Sequence, residues 1–217
     1  RINIHPSGPI VVVEEELIPG VIDAILRMNR TTLCIQGPPG TGKTYTAARA
    51  ILRLLRERRK VAVTANSHKA ILNVLRAVHE ALQEAGLDYP IVKVGGNDDD
   101  PLIESGEIQY LPKSNEAVHE LGGGPIVMGG TAWVFSRPEL QGEFDYLFVD
   151  EAGQFALADV VATGLSADNI VLIGDQMQLA QPILGAHPGE SGKSALEYLL
   201  AGHATIPPDF GIFLSQT

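Results

Sequence analysis

The stretch Gly37-Pro38-Pro39-Gly40-Thr41-Gly42-Lys43-Thr44 constrains this chain more than any other feature, because it fits the pattern G-x-x-x-x-G-K-[ST]. Its residue types are those a bound polyphosphate requires. Glycines let the backbone curl so that successive N–H groups point at phosphate oxygens. A helix that starts there turns its positive end toward the same anion. Lys43 would bring a charge to the β- and γ-phosphates, and the Thr44 hydroxyl would be a ligand for Mg2+. The context is the one such a loop needs. Thr32 to Gln36 reads as a strand, and Ala47, Ile51, Leu54 and Leu55 recur at helical spacing between Lys43 and Arg59.

Strand-like apolar runs alternate with helical patterns along the rest of the chain, which predicts an α/β fold with helices packed on a parallel sheet. Lys60 to Ala65 reads as a second strand, and His68 to Ala85 as an amphipathic helix stopped by Gly86. Further strands are expected at Ile91–Val94, Ile126–Met128, Tyr146–Val149 and Ile170–Ile173. Runs such as Tyr146-Leu147-Phe148-Val149 are apolar on both faces, as central parallel strands must be. The stretch from Gly95 to Gly124 has acidic and glycine clusters and little periodicity, so we expect an insertion or surface excursion there.

A phosphate loop alone does not establish hydrolysis. Leu147-Phe148-Val149-Asp150-Glu151 is an apolar strand ending in two carboxylates. A neighbouring parallel strand would set them beside the loop, at the C-terminal edge of the sheet where open α/β folds bind ligands. Asp150 would then hold the magnesium shell, and Glu151 would orient and deprotonate the attacking water. Ile170 to Ile173 opens into Gly174-Asp175-Gln176-Met177-Gln178-Leu179, where Gln178 can sense a γ-phosphate by hydrogen bonding and Asp175 counts with the nucleotide-contacting residues.

Four segments in this order resemble superfamily 1 helicases, in the branch of the RNA-surveillance and Okazaki-fragment-processing (DNA2/NAM7-like) helicases. They are Gln36 to Thr44, Ala65-Asn66-Ser67-His68-Lys69-Ala70, Asp150-Glu151-Ala152-Gly153-Gln154 and Gly174 to Leu179, with Gly130-Thr131-Ala132 resembling a shorter family motif. The resemblance implies a P-loop NTPase fold with a RecA-like parallel sheet and helices on both faces, spanning residues 1–217 as the first motor domain. It implies ATP as the nucleotide, with Lys43, Asp150, Glu151 and Gln178 catalytic. Gln154 and Gln178 would couple the γ-phosphate to domain closure. Ser67, His68 and Thr131 would contact the backbone of a single-stranded DNA or RNA, a task for hydroxyls and amides that grip phosphate without reading sequence.

Departures from the family pattern exist. No glutamine suited to adenine recognition occurs between Arg1 and Leu33. The family's second RecA-like half, expected in the same parent chain, supplies arginines worth on the order of 10³–10⁵ in rate in related phosphoryl transfers. This chain stops close to where that half would begin. The expectation is that it binds nucleotide, hydrolyses it very slowly and does not unwind a duplex alone.

Bulk properties limit the alternatives. No apolar stretch approaches the roughly 20 residues that span a bilayer, so no membrane partner is expected. A lone cysteine, Cys34, in an apolar run cannot build an internal disulfide framework and suits an intracellular core position. With 16 Lys and Arg against 26 Asp and Glu, the net charge of −10 counts mildly against strong nucleic-acid affinity of this piece alone, without excluding a strand held locally by backbone amides and hydroxyls. Trp133 and Phe135 are able to stack on bases, yet an aromatic pair alternating beside a strand reads as core. Two other functions stay open on the residues alone: another P-loop ATPase of the AAA+ type, or a nucleotide-dependent binding switch.

Overall fold

The computed structural model describes residues 9–11, 17–175, 192–200 and 202–215. Its helices are α1 (Leu17–Leu26), α2 (Lys43–Arg56), α3 (His68–Glu84), α4 (Pro101–Glu104), α5 (Ala132–Phe135), α6 (Leu157–Gly164) and α7 (Ala195–Leu200). Its strands are β1 (Thr32–Gln36), β2 (Lys60–Thr64), β3 (Ile91–Val94), β4 (Gln109–Leu111), β5 (Ile126–Gly129), β6 (Phe144–Val149), β7 (Ala167–Gly174) and β8 (Gly211–Phe213). They form one sheet in the order β4-β3-β5-β2-β6-β7-β1-β8, and every pairing is parallel. This is the RecA-like architecture.

Strand side chains alternate between two cores, as a pleat with period two requires. Along β2, Val61 and Val63 enter the core under α1, α2 and α3, while Ala62 enters the core under α5 and α6. Along β6, Tyr146 and Phe148 take the first face, and Leu147 and Val149 the second. Cys34 on β1 packs with Leu196 and Leu200 of α7, and burial pushes its thiol up to about 12. It is an inert core residue.

Two helices stop on the same hydrogen-bonding device. Gly86 follows α3 with φ 62°, its N–H bonded to the Gln83 carbonyl and the Leu87 N–H to that of Leu82. After α2 the equivalent left-handed position is Arg58, at φ 62°, with the Arg59 N–H on the Leu54 carbonyl. That turn ends α2 at Arg56, short of the Arg59 expected from the pattern.

Residues 95–124 do not leave the domain as a bare loop. They supply α4 and the edge strand β4, and they bury Ile108, Leu111, Ala117 and Leu121. Asp100 caps α4 through the Leu102 N–H and pairs with Arg76 of α3. The weak periodicity comes from elements of only three to six residues.

Candidate nucleotide site

Three strand ends meet at one point on the C-terminal edge. The acidic strand is not the direct neighbour of the phosphate-loop strand, because β7 lies between β6 and β1. Its exit is bridged on both sides. The Gly37 N–H donates to the Gly174 carbonyl at 3.0 Å, and the Ala152 N–H donates to that of Ile173 at 2.9 Å. Gly174 is where the acidic turn presses on β7, since a Cβ there would stand 2.9 Å from the backbone nitrogens of Ala152 and Gly153. Backbone cannot rotate away as a side chain does. Gly174→Ala is therefore expected to lower stability by about 1–3 kcal/mol, the usual scale of overpacking, read as a shifted urea midpoint. An unshifted midpoint would contradict this packing account.

The phosphate loop has the conformation its glycines allow. Gly40 and Gly42 take φ 83° and 75°, in the left-handed region, and no described atom lies within 4 Å of where their Cβ atoms would be. The Thr41 hydroxyl donates to the Pro38 carbonyl at 2.9 Å. Gly42 opens α2, with its carbonyl accepting from the Thr46 N–H. Lys43 follows, and its Nζ donates to the carbonyls of Gly37 and Pro38 at 2.6 and 2.7 Å. Thr44 lies half-buried in the same first turn, while Pro39 is exposed at the crest.

Electrostatics tie this loop to the other two strand ends. Burial lowers the Lys43 ammonium pKa, and the Asp175 and Asp150 carboxylates pull it back up, so both acids act on the lysine. Burial pushes the Asp150 carboxyl up to about 6. Next to that, a hydrogen bond from the Glu151 N–H lowers it, the Glu151 charge raises it, and Lys43 lowers it. The donor set suits a magnesium nucleotide: one hydroxyl and one carboxylate as hard oxygen ligands, a cation, and an open glycine loop before a helix.

Glu151 itself is a backbone outlier at φ 55°. Its carbonyl accepts from the Gln154 N–H at 2.7 Å, which closes the turn. The Asn66 side-chain amide donates to the Gln154 carbonyl at 2.6 Å and so binds the exit of β2 to the acidic turn. Among the expected site residues, Lys43, Asp150 and Asp175 are brought together, with Thr44, Glu151 and Gln154 beside them. Gln178 lies outside the described residues.

The residues expected at nucleic acid share this edge on the other side of the acidic turn. Ser67 is the N-cap of α3, and its oxygen accepts from the Ala70 N–H at 3.1 Å. That uses one lone pair and leaves the O–H as a donor. His68 is partly covered by the turn after β3, where a Cβ on Gly96 would come within 2.6 Å of its ring. Burial and nearby Lys93 both lower its pKa, so the imidazole is neutral at physiological pH and carries no charge for a phosphate. Thr131 follows β5 beside the exit of β2, where the Gly130 N–H meets the Val63 carbonyl at 3.0 Å.

Sequence reasoning missed two residues. The motif around Asn66 gives that residue no role of its own, and only its bond to Gln154 reveals the link. Lys93 sits in the apolar run of β3, is 1% exposed, and donates to the carbonyls of Gly95 and Asn97 at 2.5 and 2.8 Å. A charge in the middle of Ile91-Val92-Lys93-Val94 was the available signal.

A parallel RecA-like sheet with this loop and acidic tip at one edge defines a P-loop ATPase domain. The chain belongs to the AAA domain family (AAA_30), which matches residues 20–187. It is 29% identical over 164 residues to the DNA replication ATP-dependent helicase/nuclease dna2 of Schizosaccharomyces pombe, covering 74% of this chain and 11% of that protein. It is 26% identical over 223 residues to DNA2 of Saccharomyces cerevisiae, covering 88% and 14%. The chain thus spans only a small part of those relatives. With the ordered motifs, these matches support a superfamily 1 helicase-type domain of the DNA2-like branch. Its fold matches that of the Type ISP restriction-modification enzyme LlaGI, solved with a DNA substrate mimic, at TM-score 0.54 and 15% identity, covering 94% of this chain and 19% of that one. Among the described residues no helix is long and apolar enough to cross a membrane.

Proposed function

We propose that this domain binds Mg-ATP between its phosphate loop and acidic tip and uses hydrolysis to move along a single-stranded nucleic acid. The observation that carries the reading is that the exit of β7 is hydrogen-bonded on one side to the start of the phosphate loop, through the Gly37 N–H, and on the other to the acidic turn, through the Ala152 N–H, so that Lys43, Asp150 and Asp175 come from three adjacent strand ends. Bound Mg-ATP supplies the transferable phosphoryl group. The residues of this chain do the rest. The loop from Gly37 to Thr44 holds the phosphates through backbone N–H groups, and Lys43 neutralises their charge. Thr44 and Asp150 hold the magnesium ion. Glu151 orients a water and takes its proton, and Gln154 carries the state of that turn to Asn66 at the exit of β2. Ser67 and Thr131 face the strand there, with Gln178 as a further γ-phosphate contact.

Calorimetric titration of the chain with Mg-ATP tests the site. Lys43→Ala is expected to weaken binding by at least about 10–100-fold, the scale of lost hydrogen bonds to a charged group. Equal affinity for both proteins would remove Lys43 from the site. Motor function is tested in the parent protein by stimulation of its ATPase with single-stranded DNA or RNA. A turnover rate indifferent to both would favour a binding switch.

A further inference from the structure

We infer that Lys93 is a positioning residue for the strand-binding edge of the sheet: its ammonium holds residues 95–97 closed over His68 and so fixes the first turn of α3. This rests on the strand-binding reading above and adds to it a residue outside all of its motifs.

Lys93 is 1% exposed in the middle of β3. Val92 and Val94 enter the core under α5 and α6, so Lys93 points to the side of α3. A methionine there would avoid the desolvation that a buried ammonium suffers. Burial lowers the Lys93 pKa, and the carboxylates of Asp100, Asp98 and Asp99 pull it back up. The charge wraps a turn around itself. Its Nζ donates to the carbonyls of Gly95 and Asn97 at 2.5 and 2.8 Å. The Tyr110 hydroxyl donates to the carbonyl between them, that of Gly96, at 2.6 Å, and the Tyr110 ring centroid lies 5.1 Å from Nζ. Gly95 and Gly96 take φ 70° and 76°, in the left-handed region, which lets the chain curl around the ammonium. Three successive carbonyls are held by two side chains, one from β3 and one from β4.

The turn so held presses on His68. A Cβ on Gly96 would stand 2.6 Å from the ring Cγ and 2.8 Å from Nδ1, and one on Gly95 would stand 3.4 Å from Cε1. Nδ1 is buried there with no hydrogen-bond partner among the described residues. Packing therefore orients that side of the imidazole, and a ring held by contact loses its orientation when the turn opens. His68 is the first residue of α3, next to the N-cap Ser67. On the other flank, Lys93 stands opposite Gly129 in the β3–β5 register, two residues before Thr131. One buried side chain thus lies between the two segments expected at the strand, and its burial keeps it from touching a phosphate itself.

Lys93→Met tests this, since it removes both donated bonds and keeps an unbranched side chain of similar length. The parental chain and the variant are titrated at low salt with a labelled oligothymidylate of roughly ten nucleotides, within the usual site size, and separately with Mg-ATP. The variant is expected to bind the strand about 2–10-fold more weakly, the cost of ordering on binding what the parental chain holds ready. Its Mg-ATP affinity should be unchanged. The His68 ring proton resonances should move, while the slope of strand affinity against salt should not, because no phosphate contact is lost. Tyr110→Phe, which frees only the Gly96 carbonyl, should move the same resonances and weaken the strand by less. Moved resonances with unchanged strand affinity would end the positioning role and leave the strand reading intact. A salt slope reduced by about one would make Lys93 a phosphate contact and overturn the role equally. So would a parallel loss of Mg-ATP affinity, which marks general damage to the fold. If the parental chain binds no strand, the strand reading falls and this inference falls with it.

Discussion

Glu151→Gln is expected to lower the nucleic-acid-stimulated ATPase of the parent protein by about 10²–10⁴-fold while leaving Mg-ATP affinity within a few-fold, the range for loss of one general base. Glutamine keeps the shape of the side chain and removes its ability to take a proton. The backbone explains why the variant should still fold. Glu151 sits at φ 55°, where a residue with a Cβ costs on the order of 1–2 kcal/mol, and glutamine bears that cost equally. The turn holds the residue there through the Gln154 N–H, the Ala152 N–H on β7 and the Asn66 amide on Gln154. Strain kept at one side chain by three surrounding bonds is the pattern of a functional position. Glu151→Gly makes a control, since it removes both the strain and the carboxylate. It should gain up to about 1 kcal/mol in stability while losing turnover. Unaltered kcat in Glu151→Gln would move the base elsewhere, with Asp150 and Asp175 the adjacent candidates.

Much of this site was legible because its chemistry is local in sequence. A glycine loop needs its glycines at fixed spacing, and β1, β2 and β6 announce themselves because parallel strands buried on two faces carry apolar residues on both. Strand order is not local. Nothing in the residues of β7 says that it inserts between β1 and β6, so the acidic tip was expected one strand too close. Elements of three residues, β4 and β8, are too short to show a period. Lys93 was hidden for another reason: its partners are the backbone carbonyls of Gly95 and Asn97, which every residue possesses. The aromatic pair shows how one wrong period misleads. Trp133 and Phe135 read as core when alternation is taken as a strand, but on the helical turn α5 residues two apart diverge by roughly 200°. One ring is buried and the other faces water.

The second large effect is on stability, and it runs opposite to that expected when a charged site residue is removed. Asp150→Asn should stabilise the domain at pH 8 in the absence of nucleotide and magnesium. Burial raises the Asp150 carboxyl from 3.8 to about 6. A raised acid favours the folded state only while it is protonated in both states, below about pH 4. That contribution is lost as pH climbs through about 6, and at pH 8 the ionised carboxylate opposes folding. A tenfold change in proton affinity is worth about 1.4 kcal/mol, so after allowance for partial exposure the cost is about 1–3 kcal/mol. Asparagine has the same size and no charge to desolvate. Urea unfolding in EDTA should therefore show a gain for the variant at pH 8 that shrinks through pH 6 and vanishes near pH 4. A gain independent of pH, or none, would mean that burial does not govern this carboxyl. Adding Mg-ATP should then reverse the ranking. The parental chain gains roughly 2.7 kcal/mol at a hundred times its Kd, while the variant, lacking its metal carboxylate, gains far less. One substitution that raises stability without ligand and forfeits it with ligand separates a binding carboxylate from a structural one, because a structural acid would lose stability under both conditions.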